Sequence, residues 1–242
     1  MRPVNKGTSP YITISDYKMA RRPLIDRLGP FCSYCEMSIR HMPEVEHVAS
    51  KSRNDDWTKW DNLLLGCRYC NGRKSNTVTT ENEQNYLWPD EINTAVAYSY
   101  KNGLPMVNCE RLLEVDPSGE TKRKAENLFD LLKLGGVSEL GRKDARSDWR
   151  NEAYSVALES LDDWQRMKEK NNAVRLARGI ARTAQGYGFF SIWMEVFKDE
   201  PVVKRVLIEA FPGTETRFFD PDGNVKSILH VEELEAATEA AT

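Results

Sequence analysis

The 242-residue chain is poor in histidine, with only three, and has no long uninterrupted apolar run. Its most apolar stretch, GFFSIWMEVF at 188–197, contains Glu195 and falls far short of the roughly 20 residues a bilayer-spanning helix needs. A transmembrane helix is therefore excluded. The opening residues MRPVNKGTSP lack the apolar core of a secretory signal, which makes the cytoplasm the default compartment. No internal repeat is visible. The only biased tract is the Ala- and Glu-rich end EELEAATEAAT, so residues 232–242 are expected to be a disordered tail.

Net charge is also small, −3 overall, which argues against a generic nucleic-acid binder. The sum hides an asymmetry. Residues 1–80 hold 13 Lys and Arg against 8 Asp and Glu, whereas the remainder holds 21 against 29. A polyanion is therefore expected to meet the amino-terminal part alone.

The chain is rich enough in apolar residues, at 40%, to bury a core. A short helix is expected from Pro23, with Leu24, Ile25 and Leu28 as its apolar face and Gly29 as its stop. Strand-like runs EVEHVA and NLLLGC follow. From about 119 the texture turns helical. TKRKAENLFDLLKLGG carries Leu128, Leu131, Leu132 and Leu134 at helical spacing and stops at a Gly pair. A long helix is expected over 138–170, with Trp149, Tyr154, Val156, Leu158, Leu161 and Trp164 as its buried positions. Shorter ones are expected at 172–184, 188–198 and 201–211. After Pro212, RFFDPDGNVKSI reads as a hairpin turning at Asp222-Gly223. The fold class is thus α+β: a compact unit at 31–80 after an arm at 1–30, then a mainly helical region over 81–231.

Four of the five cysteines form two C-x-x-C pairs, Cys32/Cys35 and Cys67/Cys70. Four thiolates are the ligand set of a closed tetrahedral zinc site, and its binding can contribute on the order of 10 kcal/mol to folding. Such a site has no open coordination position, so its role is structural. A redox pair would need only one C-x-x-C, and no βαβ context surrounds either. The 31 residues between the pairs exceed the spacing of a simple ribbon, so something is inserted there. Cys109 stands alone and reads as a small buried hydrophobe.

The insert contains Glu46-His47. A Glu beside a His is ordinarily a surface pair, but here Asn62 follows His47 by 15 residues and Asn71 by 24, both tied to the second knuckle. C-x-x-C, Glu-His, Asn-Leu and C-x-x-C-Asn-x-x-Lys in this order resemble the HNH nucleases, over about residues 31–76. The resemblance implies a ββα-metal core around one divalent ion, Mg²⁺ or Mn²⁺, which prefers oxygen ligands. It implies His47 as general base, Glu46 and Asn71 as ligands of the catalytic ion, and Asn62 as the residue that fixes the loop between the strands. Lys51, Arg73 and Lys74 are then expected on non-reacting phosphates. Many members of the family carry His at the place of Asn71 and Asp at that of Glu46. His41 and His230 have no partner motif and read as ordinary surface or structural residues.

The wider layout, including the Trp-Pro-Asp-Glu segment at 88–91 and Gly103, resembles the HNH subunit of Septu-type antiphage systems, some of them associated with retrons. That resemblance implies an ABC-like ATPase partner docked on the helical region. Two other readings stay open: a free-standing restriction or homing-type nuclease, and a non-catalytic zinc module that binds nucleic acid or protein. The acidic carboxy-terminal part shows no basic recognition helix, which disfavours the first. The second would have no need of Glu46, His47 and Asn71 together. DNA and RNA substrates are not separated by these residues.

Overall fold

A computed structural model describes residues 1–53, 57–136, 144–169 and 172–233. Helix α1, Arg21–Leu28, buries Leu24 and Leu28 and ends at Gly29, whose φ of 71° only glycine adopts without strain. It starts two residues before Pro23, which a helix's first turn tolerates because those N–H groups have no intrahelical partner. Strand β1, Glu44–His47, pairs antiparallel with β2, Leu63–Gly66, in the register Glu44↔Gly66 and His47↔Leu63. All of β2 is buried, as its LLLG sequence requires. Helix α2, Arg68–Lys74, follows at once, because Cys67 is its N-cap: Cys67 Sγ accepts from the Cys70 amide at 3.4 Å.

Next come α3, Thr94–Ala97, and the hairpin of β3, Tyr98–Lys101, with β4, Leu104–Val107. Asn102 and Gly103 turn it with φ of 51° and 76°, the two positive values of a type I′ turn. The helical region is α4, Cys109–Val115; α5, Glu120–Leu132; α6, Arg146–Met167; α7, Ala173–Tyr187; α8, Phe190–Val196; and α9, Pro201–Ala210. None of the described helices is long and apolar enough to cross a membrane.

Two apolar clusters organise these elements. One surrounds the cysteines and includes α1, both strands of the first hairpin and the inner faces of α3, α4 and α5. The other lies among α6 to α9. The amino-terminal arm straps them together. Arg2 is buried against the paired Phe31 and Phe211 rings and donates to the carbonyls of Leu28, at 2.8 Å, and Pro212, at 2.7 Å.

Several sequence expectations change here. Trp149 and Leu158 are exposed, while Ala153, Ala157 and Trp164 occupy the buried face of α6. The small alanines allow its neighbours to approach closely, so bulk on this helix does not mark its inner side. The hairpin expected after Pro212 narrows to a single bridge, Phe219↔Val225, because residues 220–224 form a turn closed on the Asp220 carboxylate. Cys109 is only half-buried, with its thiol toward Glu126. The tail from 234 onward and the start of the long helix expected at 138 lie outside the described residues.

Gly66 leaves no room for a side chain: a Cβ there would stand 2.9 Å from Cγ of Glu46 and 3.9 Å from Cβ of Asn71. Gly66→Ala is expected to cost about 1–3 kcal/mol, read as a lower urea midpoint at unchanged slope.

Candidate metal centre and active site

The two C-x-x-C turns close on each other. Their four Sγ atoms lie within 4.8 Å of one another, all buried, with Cys35 and Cys67 at 3.7 Å. A tetrahedral zinc with bonds of about 2.3 Å separates its sulfurs by roughly 3.8 Å, so the cluster fits that ion. The first turn is fixed by Phe31↔Ser38 bridging and by the Ser33 amide, which donates to the Leu65 carbonyl at 2.8 Å. The second is fixed by the α2 cap. Burial pushes the Cys32 thiol up, yet the hydrogen bonds of three neighbouring thiols hold it well below the ordinary range. Burial likewise raises Cys70, and hydrogen bonding to Cys32 and Cys35 raises Cys67. One negative charge is stabilised there and those of Cys67 and Cys70 are opposed, the arrangement that a divalent cation resolves.

Arg146, the first residue of α6, adds a neighbour from the helical region. Its buried guanidinium donates to Cys70 Sγ at 3.2 Å and to the Leu132 carbonyl at 2.9 Å, and pairs with Asp144 at 2.8 Å. Glu36, directly after the first knuckle, makes a second tie: its carboxylate accepts from the Ser191 amide and hydroxyl at the start of α8.

Alternation along β1 sends Glu44 and Glu46 toward α2 and His47 to the other face. Asn71 Nδ2 donates to Glu44 Oε2 at 2.8 Å. One turn along α2, Lys74 Nζ lies 2.8 Å from Glu46 Oε1 and donates to the Val48 carbonyl at 3.1 Å. The Tyr34 hydroxyl donates to the other oxygen of Glu46. Glu46 and Lys74 are each 1% exposed. Burial raises the Glu46 pKa to about 7 against the pull of Lys74 and Tyr34.

His47 stands at the end of β1, half-buried, its ring 4.8 Å from that of Tyr17 and 6.5 Å from that of Trp57. A hydrogen bond to the Trp57 backbone orients it, and its Nε2 is buried without a protein partner. Burial, then the charges of Lys74 and Lys51, push its pKa down to about 4. The imidazole is therefore neutral at pH 7. Asn62 is buried behind it and pins the chain after β1, accepting from the Ala49 amide at 2.7 Å and donating to the Ala49 carbonyl at 3.1 Å.

Of the three expected phosphate contacts, Lys74 faces inward and neutralises Glu46. Arg73 is exposed, 3.9 Å from Asp144. Exposed Lys51 lies over the Trp57 ring at 4.3 Å and the Tyr17 ring at 5.0 Å, beside His47. His41 and His230 stand apart on the surface, His41 exposed and His230 exposed near the carboxy-terminal end of the described chain.

A hard divalent cation needs oxygen donors. Glu44 and the side-chain oxygen of Asn71 supply them at a half-exposed position, whereas Glu46 is reached only by displacing the Lys74 ammonium. The donor chemistry fits, with Glu44 added to the expected set. Sequence reasoning missed Glu44, although its position two residues before Glu46 in EVEH places it on the same strand face. It also missed Tyr34, inside the first knuckle, and the rings of Tyr17 and Trp57.

Residues 32–77 match the family model described as HNH endonuclease, a span that begins at the first zinc-type cysteine and ends just after α2. No curated protein and no solved structure matches the chain. The segment is thus similar to HNH endonuclease domains, a similarity that points to a nuclease and a nucleic-acid substrate.

Removing one partner from a fully buried ion pair strands the other charge. Lys74→Met is expected to cost about 3–5 kcal/mol at pH 8 by urea unfolding. The cost should shrink at pH 5, where Glu46, with its pKa near 7, already carries a proton. His47 gives the opposite slope. Its folded pKa, near 4, lies below the unfolded value, so the unfolded chain binds the extra proton first. Stability from this group is present above pH 6.5 and is lost as pH falls toward 4. His47→Gln, in the absence of added divalent ion, should flatten that part of the pH–stability curve.

Proposed function

We propose that this protein is a metal-dependent HNH endonuclease that hydrolyses phosphodiester bonds, with His47 as general base. The observation that carries the reading is the neutral imidazole, whose Nε2 is without a partner, at the end of a strand whose other face carries Glu44 and Glu46, with Asn71 of α2 against Glu44. These residues lie within the segment that matches the HNH family.

The chain's own residues divide the work. The Trp57 backbone and the rings of Tyr17 and Trp57 orient His47. Its Nε2 takes the proton of a water as that water's oxygen forms a bond to phosphorus and the bond to the leaving oxygen breaks. A divalent ion, Mg²⁺ or Mn²⁺, held by Asn71 and Glu44 would neutralise charge on the scissile phosphate and the leaving oxygen. Asn62 keeps the imidazole in place by holding Ala49. Lys51 and Arg73 bind neighbouring phosphates. Lys74 acts from inside, as the counter-charge that permits Glu46 to ionise.

A zinc ion on the four cysteines leaves no site for substrate and serves as scaffold. The finer assignment, an effector of a Septu-type antiphage complex with an ABC-like ATPase, rests on the order of segments along the chain. Copurification of such an ATPase from the native host supports it; a chain recovered alone counts against it.

His47→Ala separates catalysis from scaffold. The variant should retain one equivalent of zinc by metal analysis and wild-type helicity by circular dichroism. Its metal-dependent cleavage should fall by about 10²–10⁴-fold. If wild type, assayed with Mg²⁺ and with Mn²⁺ on DNA and RNA, never cleaves, a non-catalytic zinc module becomes the better reading.

A further inference from the structure

We infer that helix α7 is a second nucleic-acid contact, a row of arginines that grips the phosphate backbone outside the cleavage site. Arg175, Arg178 and Arg182 follow one another at three- and four-residue steps and so share one face of the helix. All three are exposed, whereas the opposite face, Ala177, Ile180, Ala181 and Ala184, is buried. The helix contains no acidic residue.

The row's charge is not neutralised within the helix. On α5 and α6, bases pair with an acid one turn away: Lys122 with Glu126, Lys124 with Glu120, Arg166 with Asp162. On α7 the corresponding places are taken by like charge or by nothing. Arg178 and Arg182 are four apart, a repulsive spacing, and among the described residues none of the three arginines has an ion-pair partner. Gly179 and Gly186 share the same face, and space around both is open, so a bulky backbone can come close. From Arg175 to Arg182 the helix rises about 10 Å, the axial length of roughly three base pairs.

Arg40 ties this row to the HNH segment. It is exposed, and its Nη2 donates to the Gln185 carbonyl in the last turn of α7 at 3.2 Å. A strand of phosphates running along α7 is thus led to the domain that holds His47. Planar guanidinium forks suit phosphate oxygens, and a line of them at regular pitch suits a polymer of such groups better than an isolated anion. The row lies in the part of the chain whose net charge is acidic, so the expectation that a polyanion meets only residues 1–80 does not hold for this face.

The inference takes its account of where the strand leads from the nuclease reading, but its test does not depend on cleavage. Binding is measured by fluorescence anisotropy in the His47→Ala chain without added divalent ion, on labelled duplex DNA and duplex RNA of mixed sequence. Replacing Arg175, Arg178 and Arg182 by Ala should weaken binding at least tenfold at about 0.1 M salt and lower the slope of log K against log salt by about 2–3. Alanine is a better helix former than arginine, so the helix should persist, and circular dichroism checks it. The triple Arg→Lys variant should keep the salt slope. Unchanged affinity and slope in the alanine variant would overturn the inference, as would polyglutamate competing as well as polynucleotide, which would point to an acidic protein instead. The larger loss in the DNA or in the RNA arm identifies the polymer. Arginine-dependent binding by a wild-type chain that never cleaves would sink the nuclease reading alone.

Discussion

Four buried sulfurs within 4.8 Å of one another set the terms for the rest of the molecule. Thiolates at that spacing repel, and no arrangement of hydrogen bonds among them relieves more than part of the repulsion. A shared cation does. Once it is bound, the turns at 32–35 and 67–70 become a single rigid point. From that point β2 runs back to the loop held by Asn62, and α2 runs forward carrying Asn71 and Lys74. The reach extends further, because Arg146 donates to Cys70 and Glu36 accepts from Ser191, so the helical region is fastened at both knuckles.

The short strand β1 then sorts charge by face. Toward α2 it presents two carboxylates, one half-exposed against Asn71 and one sealed against Lys74 and Tyr34. On the other side it presents an imidazole held uncharged by burial and by nearby ammonium groups. A buried ion pair is poor evidence of stability, since desolvation offsets much of the attraction. Here Glu46 and Lys74 fix the register between strand and helix, which keeps Asn71 beside the strand. In the proposed reaction His47 is the proton acceptor and Glu44 and Asn71 are oxygen donors.

The helices beyond residue 108 do more than complete a core. Their inner faces hold the apolar cluster that closes around α7 and α9, and the strap through Arg2 joins it to the knuckle region. On α5 and α6, acids and bases one turn apart pair with each other. Helix α7 departs from that pattern, and its arginine row meets Arg40 at the edge of the HNH segment. The acidic total of this half conceals the row, because net charge sums over faces that never see the same ligand.

What the amino-acid order determined by itself was whatever depends on near neighbours. The paired C-x-x-C turns, the two strands between them and the helix after Cys67 were legible, because tight turns and two-residue alternation are local properties. The Asn102-Gly103 hairpin was equally local and passed unread. Tertiary structure alone decided that Lys74 points inward to Glu46 rather than out to phosphate, and that Glu44 joins Asn71. It also decided that α6 buries alanines in place of Trp149 and Leu158, and that Arg40 extends the row on α7. Each of these turns on which surfaces lose water when distant segments meet, and desolvation is a property of the assembled chain that no short window of residues contains.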